Sequence, residues 1–206
     1  MSFRVDRIEM HELVLPLPEP LIISGGTMRE RRSLLVRLLD GEGGEGWGEC
    51  PAFELPFYSE ETLAGARTLL EQVLVPRVTG ETFSGPEAVD EALRRGVRGN
   101  PFARAAIETA AWDLEANRRG VGLAALLAER LAEPTAARIR CGVALGIPAD
   151  RRLDTLAGWV GSAVERGYRR VKIKVMPGWD RPAVDAAADA MAGSGLPLTV
   201  DANGAY

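Results

Sequence analysis

Arg170-Val171-Lys172-Ile173-Lys174-Val175 is the stretch on which the reading of this chain turns. Val171, Ile173 and Val175 alternate with the two lysines, and a period of two specifies a strand. Further on, Leu198-Thr199-Val200-Asp201-Ala202-Asn203 is a second apolar run that closes on an acid. In a sheet with one wet face, two outward lysines are ordinary. In a parallel sheet both faces are covered, and two inward ammonium groups are costly unless they have a task there. The kind of sheet therefore decides what the lysines are for.

The surroundings of the lysine strand predict a parallel sheet. Residues 138–146 read as a strand and 150–167 as a helix with Leu153, Leu156, Ala157, Val160 and Val164 on one face. The lysine strand follows, then a turn at Pro177-Gly178-Trp179, a helix over 183–192 and the strand ending at Asp201. This βαβαβ order is the spacing of parallel units.

Upstream of Pro134, the predicted boundary, the pattern is different. Residues 5–17, 34–39 and 45–50 read as three antiparallel strands, the last two joined by the turn Asp40-Gly41-Glu42-Gly43-Gly44. A loop, Ile23-Ser24-Gly25-Gly26-Thr27, separates the first two. Ser59 is the predicted cap of a helix over 59–75, and Ser84 with Glu87 has capping-box spacing. Asn100-Pro101 opens a helix whose face of Ala103, Ile107, Ala110, Ala111 and Leu114 predicts close packing. Leu123 to Leu131 forms a last short helix. The glycines at 41, 43, 44, 46 and 48 are read as turns and strand crossings, because no helix start and no Gly-Lys-Ser/Thr follows them.

Composition narrows the partners. The 206 residues are 46% hydrophobic and 26% charged, with net charge −4 and scattered basic residues. That argues against a nucleic-acid or anionic-membrane partner. No apolar stretch approaches the ~20 residues of a membrane helix, and the first residues lack the apolar segment of a signal peptide. Cys50 and Cys141 do not make a disulfide framework and read as buried thiols of a cytoplasmic protein.

Alternate strand residues project the same way, roughly 6.6 Å apart. Lys172 and Lys174 would stand together near the carboxyl end of their strand, where β/α barrels keep their chemistry. Two close ammonium groups lower one another's proton affinity, which makes a lysine usable as a base. The alternative is an edge strand with two solvated lysines. Asp201 ends the next strand, either as a ligand for a hard cation or as a turn and cap residue, and Asn203 carries the same two readings. Phe53, Phe57 and Tyr58 are either packing residues or an apolar substrate lip. His11, inside the first strand, reads as structural.

Taken in order, several motifs resemble the enolase superfamily, in particular its o-succinylbenzoate synthase and N-acylamino acid racemase group. They are Gly44-Glu45-Gly46-Trp47-Gly48-Glu49-Cys50, Leu55-Pro56-Phe57-Tyr58-Ser59, Cys141-Gly142-Val143-Ala144-Leu145-Gly146-Ile147, the lysine strand through Pro177-Gly178-Trp179-Asp180, and Val200-Asp201-Ala202-Asn203. The resemblance implies an α+β capping domain over 1–134. The start of a β/α (TIM-type) barrel follows over 135–206, truncated after its third strand.

The resemblance further implies Mg²⁺, or another divalent cation such as Mn²⁺, and a small carboxylate substrate. Lys174 would be the acid/base and Lys172 its electrostatic helper. Asp201 would be the first of three metal carboxylates, with Asn203 beside the metal. Leu21, Phe53 and Tyr58 would touch the substrate under the 23–27 loop. Ala144 stands where similar proteins often have a serine near the substrate carboxylate. The implied reaction is the dehydration that gives o-succinylbenzoate in menaquinone synthesis. The alternatives are racemisation of N-acylamino acids or dipeptides, and an inactive fragment or association module. The other carboxylates and an opposing lysine have no counterpart here, so the 206 residues alone are expected to be inactive and poorly folded. The full-length protein is expected to be a homo-oligomer.

Overall fold

Strand alternation in the first forty residues builds a long hairpin rather than two short strands and a loop. The computed structural model describes residues 2–206. After β1 (Phe3–Arg4), β2 runs from Arg7 to Ile23 and β3 from Gly26 to Leu39. Ser24 and Gly25 turn the chain between them, and Gly26 at φ 153° takes a backbone that side chains rarely adopt. The strands thus continue to the turn itself, and the predicted loop at 23–27 is a tight hairpin tip.

The chain divides into two units: residues up to Leu15 with Arg31–Thr135, and Pro16–Glu30 with Ala136–Tyr206. The hairpin tip therefore groups with the second unit.

In the first unit, β4 (Glu45–Cys50) pairs antiparallel with β3, with Leu34 opposite Cys50, Val36 opposite Gly48 and Leu38 opposite Gly46. These residues share the inner face, and Leu34, Val36, Leu38 and Cys50 are fully buried there. Helix α1 (Leu63–Leu69) passes through a π-helical turn, Leu70–Leu74, into α2 (Val75–Val78). Its cap is Thr62, whose hydroxyl accepts from the Gly65 N–H at 3.2 Å, so the predicted Ser59 cap is displaced by three residues. Strand β5 (Thr82–Phe83) pairs with β1, and α3 (Pro86–Arg94) follows. Gly85 precedes α3 without a side-chain cap, so the Ser84–Glu87 capping box does not form.

Helix α4 (Pro101–Arg119) buries Ala103, Ala106, Ile107, Ala110, Ala111 and Leu114 in the core. Its start is not capped by Asn100. Glu61 does that work from elsewhere, one carboxylate oxygen accepting from the Phe102 N–H at 2.9 Å and the other from Ala103 at 3.1 Å. Helix α5 spans Leu123–Leu131 as expected.

The glycines of β4 have a role beyond turns. A Cβ on Gly46 would lie 2.1 Å from the Ala110 carbonyl oxygen, and one on Gly48 would lie 2.0 Å from that of Ala106. Two glycines on the inner face of β4 and the alanines of α4 let sheet and helix backbones touch.

The second unit carries β6 (Val143–Leu145), α6 (Leu153–Glu165), β7 (Val171–Lys174), α7 (Arg181–Ala190) and β8 (Leu198–Asp201). The strands are parallel in the order β6-β7-β8. β6 is shorter than predicted: upstream of it, Cys141 accepts a backbone bond from Arg169 at 2.8 Å without forming a full ladder. Val171 and Ile173 are fully buried in one cluster with Leu156, Val160 and Ala163 of α6 and Ala183 and Ala187 of α7. Asp180 caps α7, accepting from the Arg181 N–H at 2.7 Å.

Cys50 is buried, and that burial pushes its thiol up, whereas Cys141 is exposed, contrary to expectation. No described helix is long and apolar enough to cross a membrane.

Candidate active site

Register places the polar residues of the parallel sheet together. Ala144 on β6 pairs with Lys172 on β7, which pairs with Thr199 on β8, and Lys174 pairs with Asp201. Residues in register share a face, so Ala144, Lys172, Lys174, Thr199 and Asp201 all lie on the face opposite Val171 and Ile173. α6 and α7 cover the apolar face, which turns both lysines to the other.

The two lysines converge on a single oxygen. Asp201 Oδ2 accepts from Lys172 Nζ at 3.0 Å and from Lys174 Nζ at 2.9 Å. Lys174 Nζ also donates to Asn203 Oδ1 at 2.6 Å. Asn203 folds back through its own N–H to Asp201 Oδ1 at 3.0 Å, with its backbone in the left-handed region at φ 48°. The Lys174 side chain is 13% exposed and that of Lys172 is 38% exposed, so the former is the enclosed amine and the latter faces solvent. The bonds from Lys174 and then Lys172, helped by the Asn203 N–H, hold the Asp201 carboxyl well below the usual carboxylate range. The pair is therefore a carboxylate bridging two cations, and the edge-strand alternative falls because β7 lies between β6 and β8.

The other expected residues are found as follows. Leu21 and Ala144 line a groove of about 360 Å³ with Trp159, Ala163 and Tyr168, and neither lysine lines it. Phe53 and Tyr58 belong to the first unit. Their rings are 5.7 Å apart, Phe57 lies 4.8 Å from Phe53, and the Arg31 guanidinium stands 4.4 Å over the Phe53 ring. His11 is on the surface of β2, 5.7 Å from the Trp47 ring.

A hard divalent cation takes oxygen donors. Asp201 and Asn203 Oδ1 match that preference in kind. In number they do not: among the described residues no three acidic, histidine or cysteine side chains converge. The Asp201 carboxylate is the acidic group among the described residues at this place, and its oxygens serve the lysines and the Asn203 N–H.

One signal for this site is plain in the sequence yet absent from a strand-by-strand reading. Lys172 and Lys174 are the only lysines in the chain, and every other side-chain cation apart from His11 is arginine. Arginine stays protonated and serves as a permanent charge, whereas a lysine can yield its proton. Both amines stand on β7 and reach the same Asp201 oxygen.

A parallel β/α sheet with amines and a carboxylate at the ends of adjacent strands defines an acid–base constellation on an α/β scaffold. The N-terminal domain model of the mandelate racemase / muconate lactonizing enzyme family matches residues 8–128. The chain belongs to that family, and within the enolase superfamily to the o-succinylbenzoate synthase and N-acylamino acid racemase group.

It is 43% identical over 203 residues to an N-succinylamino acid racemase of Thermus thermophilus, covering 98% of this chain and 52% of the relative. It is 35% identical to an o-succinylbenzoate synthase of Bacillus subtilis, with the same two coverages. Among solved structures, a dipeptide epimerase of Enterococcus faecalis, complexed with Mg and the dipeptide L-Leu-L-Tyr, superposes with a TM-score of 0.84 at 26% identity. That likeness covers 98% of this chain and 55% of the epimerase. The chain spans about half the length of the curated relatives it matches.

Proposed function

We propose that the chain supplies the first acid–base half of an o-succinylbenzoate synthase-like lyase, with the first unit as its capping domain and the second as the opening of a β/α barrel. The observation that carries this reading is Lys174 Nζ held at the carboxyl end of β7 by both Asp201 and Asn203. Lys174, in its neutral form, takes the proton α to a substrate carboxylate. The resulting enediolate expels hydroxide from the neighbouring carbon, and the Lys174 ammonium returns the proton on the same face, releasing water in a syn elimination. Lys172 keeps a positive charge beside the site while this happens. Magnesium, when bound with Asp201 as one ligand, would offset the second negative charge that develops on the substrate carboxylate. The product belongs to menaquinone synthesis in this reading.

A second reading is favoured by the 43% identity to an N-succinylamino acid racemase: Lys174 moves the same proton, and a base on the opposite face completes the inversion. The two are separated by supplying both substrate types with Mg²⁺ and following dehydration against loss of optical rotation. In the full-length protein, Lys174→Ala is expected to abolish deuterium exchange at the substrate α-carbon with circular dichroism unchanged. Exchange persisting in that variant would remove Lys174 from the mechanism.

A further inference from the structure

We propose that Ser24, at the hairpin tip, is a positioning residue for the Asp201–Asn203 turn and, through Asn203, for Lys174. Ser24 Oγ donates to the Ala202 carbonyl at 2.9 Å. Ala202 lies between the carboxylate that bridges the lysines and the asparagine that accepts from Lys174. Its carbonyl takes a second bond from the Ala205 N–H at 3.0 Å, which uses both lone pairs. Asn203 sits in the left-handed region at φ 48°, which asparagine tolerates better than most residues, and the Ser24 bond adds a long-range tie to the turn that holds it.

A serine beside a glycine at a hairpin tip is ordinarily a turn residue whose hydroxyl bonds nearby backbone. Ser24 does otherwise, since its partner is 178 residues away in the chain. The same tip is pinned a second time, where the Ile147 N–H donates to the Ile22 carbonyl at 3.0 Å. Gly146 permits that approach, because a Cβ there would lie 3.1 Å from the Ile22 oxygen. Residues 22–24 are thus tied beyond the ends of β6 and β8, the two strands that flank the lysine strand. This assigns the tip a task other than covering a substrate: it fixes the backbone from which Asn203 reaches Lys174.

The inference rests on Lys174 as the proton-moving group, and its test has a readout that does not. Amide exchange is measured at Asn203 in the wild-type chain, Ser24→Ala and Ser24→Thr. Loss of one hydrogen bond, about 1 kcal/mol, corresponds to roughly fivefold faster exchange, so Asn203 is expected to exchange about fivefold faster in Ser24→Ala. Ser24→Thr, which keeps the hydroxyl, is expected to restore protection. In the full-length protein, with whichever of the two substrate types it turns over, kcat is expected to fall about fivefold in Ser24→Ala with KM unchanged, and to recover in Ser24→Thr. Unchanged Asn203 exchange in Ser24→Ala would overturn the proposal. So would a raised KM at constant kcat, which would put the hydroxyl on the substrate. A Lys174→Ala variant that still turns over would sink the lysine assignment, while the exchange comparison would still decide the role of Ser24.

Discussion

Asp201 bonds two ammonium groups through one oxygen, and this gives the residue a pH signature. Its carboxyl titrates well below the usual range in the folded chain, against about 3.9 when unfolded. A carboxyl lowered on folding stabilises the fold fully above its unfolded value, and loses that contribution as pH falls toward the folded one. Asp201→Asn is therefore expected to lower stability at pH 7 by about 1 kcal/mol, a modest figure because the site is open to solvent. The gap from wild type is expected to narrow as the pH is taken from about 5 toward 2. Melting temperatures of the two proteins across that range check it; a gap independent of pH would deny the ion pair its part. Lys174→Arg tests the neighbouring amine. It keeps the charge and loses the removable proton, so deuterium exchange into substrate is expected to disappear although the fold stays intact.

At the scale of elements, β4 and α4 show what could be read in advance and what could not. The alanine face of α4 predicts close packing from composition alone, and it is found. The glycines of β4 read as turns or strand crossings, because nothing local distinguishes a glycine needed for a bend from one needed for contact with a helix. Only the register, which puts Gly46 and Gly48 opposite Leu38 and Val36 on the inner face, reveals the difference. Gly48→Ala is expected to cost about 3 kcal/mol or more, because its methyl group would meet backbone that cannot rotate away. A denaturant midpoint within error of wild type would contradict this. The same limit explains the missed cap of α4: Glu61 lies 41 residues from Phe102 in sequence, beyond any spacing rule. The lysine site was legible because its determinants are local, a period of two on β7 and an acid at the end of β8. Leu21, Phe53 and Tyr58 belong to no such local pattern; Leu21 lines a groove beside β6, and Phe53 and Tyr58 are in the first unit.

On the scale of the whole molecule, two separate cores are present, one built around Leu34, Leu38, Ile107 and Leu114 and the other around Leu156, Val160, Val171 and Ile173. Each is filled by fully buried side chains, so a large-to-small change in either is expected to cost about 2–5 kcal/mol. Ile107→Ala is expected to speed amide exchange in the first unit and Ile173→Ala in the second, read residue by residue. Uniform acceleration in both units from either change would mean that the two cores open as one.

The scarcity of lysine has a practical corollary. Apart from the chain's amino terminus, the primary amines of these 206 residues are Lys172 and Lys174. An acylating reagent has few other places to go, and the greater exposure of Lys172 offers it first. Covalent tagging, crosslinking or coupling to a resin by standard amine chemistry is thus expected to modify the site itself, and peptide mapping by mass would find the adduct on Lys172 ahead of Lys174. A tag for this chain belongs on the exposed thiol of Cys141 instead.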